Sequence, residues 1–152
     1  MVDLDLVDGL VQLSFVIQSV LGRIADREGL SVTGVRMLAV LEDREIGMLE
    51  LARILELEKS SVTGLVDRAE RRGLVRRTPV AGNRRAVHVT VTPAGAALVH
   101  GVRAAVRAEV AALAAPLSGP QQDRLSRSAA ALVRQYAASR AIPSEEKPHD
   151  KR

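Results

Sequence analysis

Between Lys59 and Thr90 the chain carries eight basic residues, Lys59, Arg68, Arg71, Arg72, Arg76, Arg77, Arg84 and Arg85, against two acidic ones, Asp67 and Glu70. That stretch holds a net charge of +6, and the rest of the chain sums to −2, so the overall +4 is a local concentration. Cations gathered this way suit a surface that meets a polyanion. The alternative is a solvated helix followed by a basic loop. No comparable set of residues points to catalysis. His88, His100 and His149 are scattered, with no spacing that suits a metal or a general base, and Cys is absent, which removes thiolate chemistry and disulfides. Glu45 with Glu50 and Glu56 with Glu58 read as solvated helix faces. No glycine-rich phosphate loop is present, and Gly73 and Gly82 read as cap and turn residues. The expectation is a protein that is not an enzyme and takes no cofactor and no metal.

With 152 residues, one domain or one domain with appended helices is what the length allows. The hydrophobic fraction of 47% permits a core, but aromatics are 1%, namely Phe15 and Tyr136, so that core must be aliphatic. Acidic Asp3, Asp5 and Asp8 come first and Arg23 and Arg27 later, the reverse of a signal peptide. No apolar run approaches the roughly 20 residues needed to span a bilayer. These features predict a soluble cytoplasmic protein without a membrane partner.

The spacing Leu6, Leu10, Leu13, Ile17, Val20, Ile24 alternates by four and three, which predicts a first helix, with Gly29 as its stop. Ser31 is a suitable N-cap for a second, Val32 to Glu42. A third, Met48 to Leu55, and a fourth, Lys59 to Arg72, are joined by a short turn, and Gly73 ends the fourth. The pattern then alternates: 74–77 and 86–91 read as strands around a loop at 78–85, a hairpin with a basic tip. Thr92 with Pro93 starts a long fifth helix, which Pro116 stops. Ser118 and Gln121 form a capping-box-like start for a last helix to Ala141. The tail, 143–152, reads as disordered.

Two short helices, a tight turn and a basic-tipped hairpin describe a winged helix-turn-helix, mainly α with a small β-hairpin. The second helix of such a pair fits the major groove of B-DNA, and a narrow basic loop reaches the minor groove. Near its start Lys59, Ser60, Ser61, Thr63 and Gly64 are short or flexible, which lets the helix end approach bases and phosphates. Ser60 and Ser61 also suit plain N-capping.

The segments 49–52, Ser61-Val62-Thr63-Gly64-Leu65-Val66-Asp67-Arg68, 72–77, Asn83-Arg84-Arg85 and Val91-Thr92-Pro93-Ala94-Gly95 resemble the MarR family of bacterial transcriptional regulators. The resemblance implies a homodimer on a pseudo-palindromic double-stranded DNA operator, commonly a repressor released by a small molecule. It implies that Ser60, Ser61, Thr63 and Gly64 face the major groove with Arg68 near phosphate, that Lys59 and Arg76 also belong to the DNA-binding set, and that Arg84 or Arg85 enters the minor groove while the other pairs with Asp67. The family's wing usually has Asp where this chain has Asn83, which can cap a turn but not form an ion pair. It further implies an aromatic or anionic effector in a crevice lined by Phe15, Ser19, Arg23, Arg36 and Met37, although so few aromatics leave little to stack on.

The resulting layout is an N-terminal dimerisation helix (1–29), a DNA-binding domain (30–92), C-terminal dimerisation helices (93–142) and the tail. Independently of the resemblance, wide aliphatic stripes on the terminal helices call for a second surface to bury them, in a partner copy or within the monomer. The competing functional reading is a winged-helix module that binds proteins and has lost DNA binding, for which eight cations on one face would serve no purpose.

Overall fold

The structure, a computed structural model, describes residues 4–141, apart from the side chains of Arg84, Arg140 and Ala141. The expected disordered tail and His149 lie outside the described residues. Six helices and three strands follow in the order α1 (Leu6–Arg27), α2 (Val32–Leu41), β1 (Ile46–Gly47), α3 (Met48–Leu55), α4 (Lys59–Arg71), β2 (Val75–Val80), β3 (Asn83–Val91), α5 (Pro93–Ala114) and α6 (Gly119–Ala141). They divide into two compact units, Met1–Ala111 and Ala112–Arg152.

The cap residues act largely as their types predict. Ser31 Oγ accepts from the Gly34 N–H at 3.0 Å and Thr92 Oγ1 from the Gly95 N–H at 3.1 Å, each satisfying an otherwise orphaned donor of a first turn. In the second unit half of the predicted capping box forms: Gln121 Oε1 accepts from the Ser118 N–H at 2.8 Å, while the Ser118 hydroxyl donates to that same oxygen. Gly29 and Gly73 adopt left-handed φ values of 65° and 70°, the conformation that lets the chain leave a helix sharply.

The sheet differs from expectation in two respects. It has three antiparallel strands in the order β1-β3-β2, because Ile46 and Gly47 pair with Val89 and His88. A two-residue strand has no periodicity to read. The predicted eight-residue loop is also mostly strand, since β2 and β3 pair from Val75↔Val91 out to Val80↔Asn83. Only Ala81 and Gly82 turn, the latter at φ 80°. Pro79 is tolerated because β2 is an edge strand, and a register irregularity follows it.

The core of the first unit is aliphatic throughout. Met37, Leu38 and Leu41 of α2, Leu51 and Leu55 of α3, Val62, Leu65 and Val66 of α4, and Ile46, Val75 and Val89 of the sheet share one buried cluster, which Val99 of α5 joins. Val20, Ile24 and Val102 form a second, smaller cluster between α1 and α5. The N-terminal two-thirds of α1 buries little within the chain: Leu6 is 78% and Phe15 61% exposed. Contrary to the sequence reading, α1 is long and apolar enough to cross a bilayer by length and composition, because its polar residues are too few to lower the average. Its last turns are nonetheless committed to protein, through Val20 and Ile24 and through an Arg23–Glu109 ion pair at 2.6 Å.

Candidate nucleic-acid interface

Helix α4 begins without a side-chain cap. Glu58 holds the N-cap position at φ −64° and ψ 148° but makes no capping bond, so Ser60 and Ser61 stand exposed inside the first turn and do not cap it. The capping role considered for them is overturned because the helix starts at Lys59, as predicted, which makes Glu58 the N-cap and puts both serines inside the first turn. The first-turn N–H groups and the positive end of the helix dipole therefore face outward beside two hydroxyls and Lys59. One turn later the Thr63 hydroxyl donates to the Lys59 carbonyl at 2.9 Å, which leaves its lone pairs outward-facing acceptors. Gly64 is half-buried, with Arg68 Nη1 only 3.4 Å from where a Cβ would sit.

The wing lies across from this helix start. Lys59 and Thr63 of α4, Met48, Leu49 and Glu50 of α3, Arg77 of β2, and Asn83, Arg85 and His88 of β3 line one groove of about 690 Å³. Asn83 Oδ1 accepts from the Arg85 N–H at 3.1 Å, so it caps the wing turn as its side chain allows. Leu49, 70% exposed at the mouth of α3, is an apolar side chain at this site that sequence reading placed only as part of a motif. Arg76 is exposed, with Nε 3.4 Å from Thr90 Oγ1. The Arg84 side chain is not among those described.

The wing is anchored by a residue to which the sequence reading gave no role of its own. Arg77 Nη2 meets Asp67 Oδ1 at 2.6 Å and Nη1 meets Glu70 Oε2 at 2.5 Å, while its backbone N–H donates to Glu70 Oε1 at 3.0 Å. Asp67 thus pairs with Arg77 at the wing base, where a wing-tip arginine was expected. Asp67 and Glu70 are three apart on one helix face, a spacing that brings two carboxylates to one cation. Burial pulls the Arg77 pKa down, but the hydrogen bonds and charges of Asp67 and Glu70 outweigh it, leaving the guanidinium above its ordinary value. The electrostatic consequence is selective: both acidic residues of the basic stretch are spent on Arg77, and the remaining cations keep their field.

Arg68, by contrast, is placed away from the groove. With Arg71 and Arg72 it rims a separate cleft of about 370 Å³ floored by Leu30, Met37, Leu38 and Leu65. The residues expected to line an effector crevice take separate places within the chain. Phe15 and Ser19 are exposed on α1, and Arg23 is held by Glu109. Arg36 Nη2 donates to the Ile54 carbonyl at 3.1 Å, closing the end of α3. Met37 is 1% exposed, a core residue that reaches only the floor of the 370 Å³ cleft. Apolar residues at helical spacing read the same whether they line a crevice or fill a core.

A helix pair closed by Arg36, an uncapped exposed second helix and a clamped hairpin define a winged helix-turn-helix. Residues 28–86 match the MarR family model. The HTH-type transcriptional regulator PecS of Dickeya dadantii (strain 3937) is 31% identical over 97 residues, 61% of this chain and 58% of PecS, so the chain spans less than two-thirds of that relative. Among solved structures, wild-type apo MarR from E. coli is 19% identical, covering 94% of this chain and 100% of that one with a TM-score of 0.73. YusO from Bacillus subtilis is 24% identical over 83% and 90% of the two chains, with a TM-score of 0.72. The Mycobacterium tuberculosis MarR family protein Rv2887, solved with salicylic acid, is 26% identical over 86% and 97%, with a TM-score of 0.68. Over residues 28–86 the chain is thus similar to the MarR family, and the described residues share the fold of these solved structures.

Proposed function

We propose that the protein is a cytoplasmic, homodimeric transcriptional regulator that binds a pseudo-palindromic DNA operator, acting as a repressor. The observation that carries this reading is the groove in which the start of α4 (Lys59, Thr63) meets the wing (Asn83, Arg85), with Asp67 and Glu70 both neutralised by Arg77. In this reading Ser60, Ser61, Thr63 and Gly64 face base edges in the major groove, Arg68 and Arg76 meet phosphates, and Arg84 and Arg85 reach the minor groove. The unburied apolar faces of α1 and α6 support the dimer, since a second copy would cover them. Release by a small anionic or aromatic molecule is the regulatory half of the proposal, supported by the salicylic acid bound to the similar Rv2887.

Gel-shift titration on the DNA upstream of the protein's own gene, repeated at rising salt, tests the reading. Saturable binding that weakens steeply with salt is the expected outcome, because several phosphates are neutralised. Equal affinity for that DNA and an unrelated duplex would overturn sequence-specific regulation and favour the protein-binding module. A thermal-shift series with small aromatic acids tests the effector half, which fails if none moves the midpoint.

A further inference from the structure

Arg72 is the C-cap residue of α4, at φ −86° and ψ 0°, and its side chain leaves that helix altogether. Nη2 donates to the Glu28 carbonyl at 2.7 Å and Nη1 to the Gly29 carbonyl at 2.8 Å, so one guanidinium bridges two successive carbonyls just past α1. Such carbonyls lack helical partners and lie at the negative end of the α1 dipole, where a cation is favoured. The corner it grips is itself stiff: the N–H groups of Glu28 and Leu30 both donate to the Ala25 carbonyl and that of Gly29 to Asp26.

The elements so joined belong to different cores. Helix α4 is built into the cluster of the winged domain, while the end of α1 packs with Val102 of α5 in the second cluster. Beyond that contact α1 continues as a lever whose apolar face is exposed among the described residues. We infer that Arg72 is a positioning residue: it fixes the angle of the recognition helix relative to α1 and thereby the spacing of the two recognition helices in the dimer. The spacing part of the inference rests on the operator-binding dimer proposed above; the angle part does not.

Because the chain has no Cys, Gln12→Cys and Ser60→Cys introduce two spin labels, one on α1 and one on α4. Dilution with unlabelled chain keeps each measured pair within one molecule. Wild type should give one narrow distance distribution, Arg72→Ala a broadened or displaced one, and Arg71→Ala, an equal loss of charge next door, the wild-type result. Arg72→Lys keeps the cation but cannot bridge both carbonyls, so it should broaden the distribution and still fold if the alanine variant does not. A distribution for both Arg72 variants that superimposes on wild type overturns the inference. On duplexes whose two footprinted half-sites are moved apart one base pair at a time, wild type should prefer one separation by about tenfold or more, and Arg72→Ala should narrow that preference to about threefold or less. Arg71→Ala should weaken every separation alike. Unchanged preference in the Arg72 variants would remove the spacing role even if the distances had changed. Failure of wild type to bind any of the duplexes would overturn the operator reading and the spacing role with it, leaving the distances to decide the angle.

Discussion

Arg77 shows how one side chain determines what its neighbours are free to do. It is 26% exposed between two carboxylates that are more exposed than itself, so solvent screens the pair and the stabilisation it contributes is modest. Arg77→Ala should therefore cost about 1 kcal/mol or less in chemical denaturation. Its effect on DNA binding should be larger, a loss of about three- to tenfold in affinity at constant salt, because Asp67 and Glu70 would regain uncompensated charge beside the phosphates. The raised Arg77 pKa fixes the sign of any pH effect: its stabilising contribution is complete below the unfolded value and is lost only as pH rises through the higher folded one. The wild-type and Arg77→Ala stabilities should then differ by the same amount from about pH 6 to pH 9, the guanidinium staying charged throughout. At the wing tip the prediction is of another kind. Replacing Arg85 with Ala should weaken binding to all sequences and lower the slope of log K against log salt by about 0.9, whereas Thr63→Val should change which sequence is preferred.

At the scale of elements, the junction between α4, β2 and α5 is closely packed. The Thr92 N–H donates to the Leu74 carbonyl at 3.0 Å, the Thr92 hydroxyl to the Gly73 carbonyl at 2.6 Å, and Gly95 sits so close that a Cβ would fall 2.1 Å from Leu74 O. Backbone, unlike a flexible side chain, cannot step aside. Gly95→Ala should lower stability by about 2 kcal/mol or more, read as a fall in melting temperature. Gly101, further along the same helix and with nothing within 4 Å, should gain about 0.5–1 kcal/mol when changed to Ala, since only helix propensity is at stake. The two substitutions are chemically identical, and what surrounds each glycine sets the sign.

For the whole molecule the unresolved balance is one of surface. Leu6, Val7, Leu10, Val11, Phe15 and Val16 on α1, with Leu125, Leu132, Val133 and Tyr136 on α6, stand exposed in a single chain. Each of these exposed apolar stretches is expected to be covered in solution. Light scattering coupled to size exclusion should return twice the chain mass at micromolar concentration. The double variant Leu10→Glu, Phe15→Glu should return a single chain mass with its helix content intact, and should bind the operator at least about tenfold more weakly, because the second half-site no longer adds its contacts. Wild type eluting as a monomer would remove the dimer from the proposal.

Local chemistry made much of this legible in the chain itself. Ser31, Thr92, Gly29 and Gly73 announce helix ends because capping depends on one side chain or one permissive φ, and the change from helical to alternating period places the wing. The aliphatic core follows from composition, since one Phe and one Tyr cannot fill it. What tertiary structure alone decided depends on partners distant in sequence. Ile46 and Gly47 become a strand only because β3 offers an edge, Arg77 at the wing base pairs with Asp67, and Arg72 reaches back 43 residues to Gly29. Of the residues read as an effector crevice, packing places Met37 in the core, Arg36 at the end of α3 and Arg23 on Glu109, contacts that residue type and order alone do not specify. Sequence determines which side chains can form a contact; which of several equivalent arginines makes it depends on distances that exist only once the helices have packed.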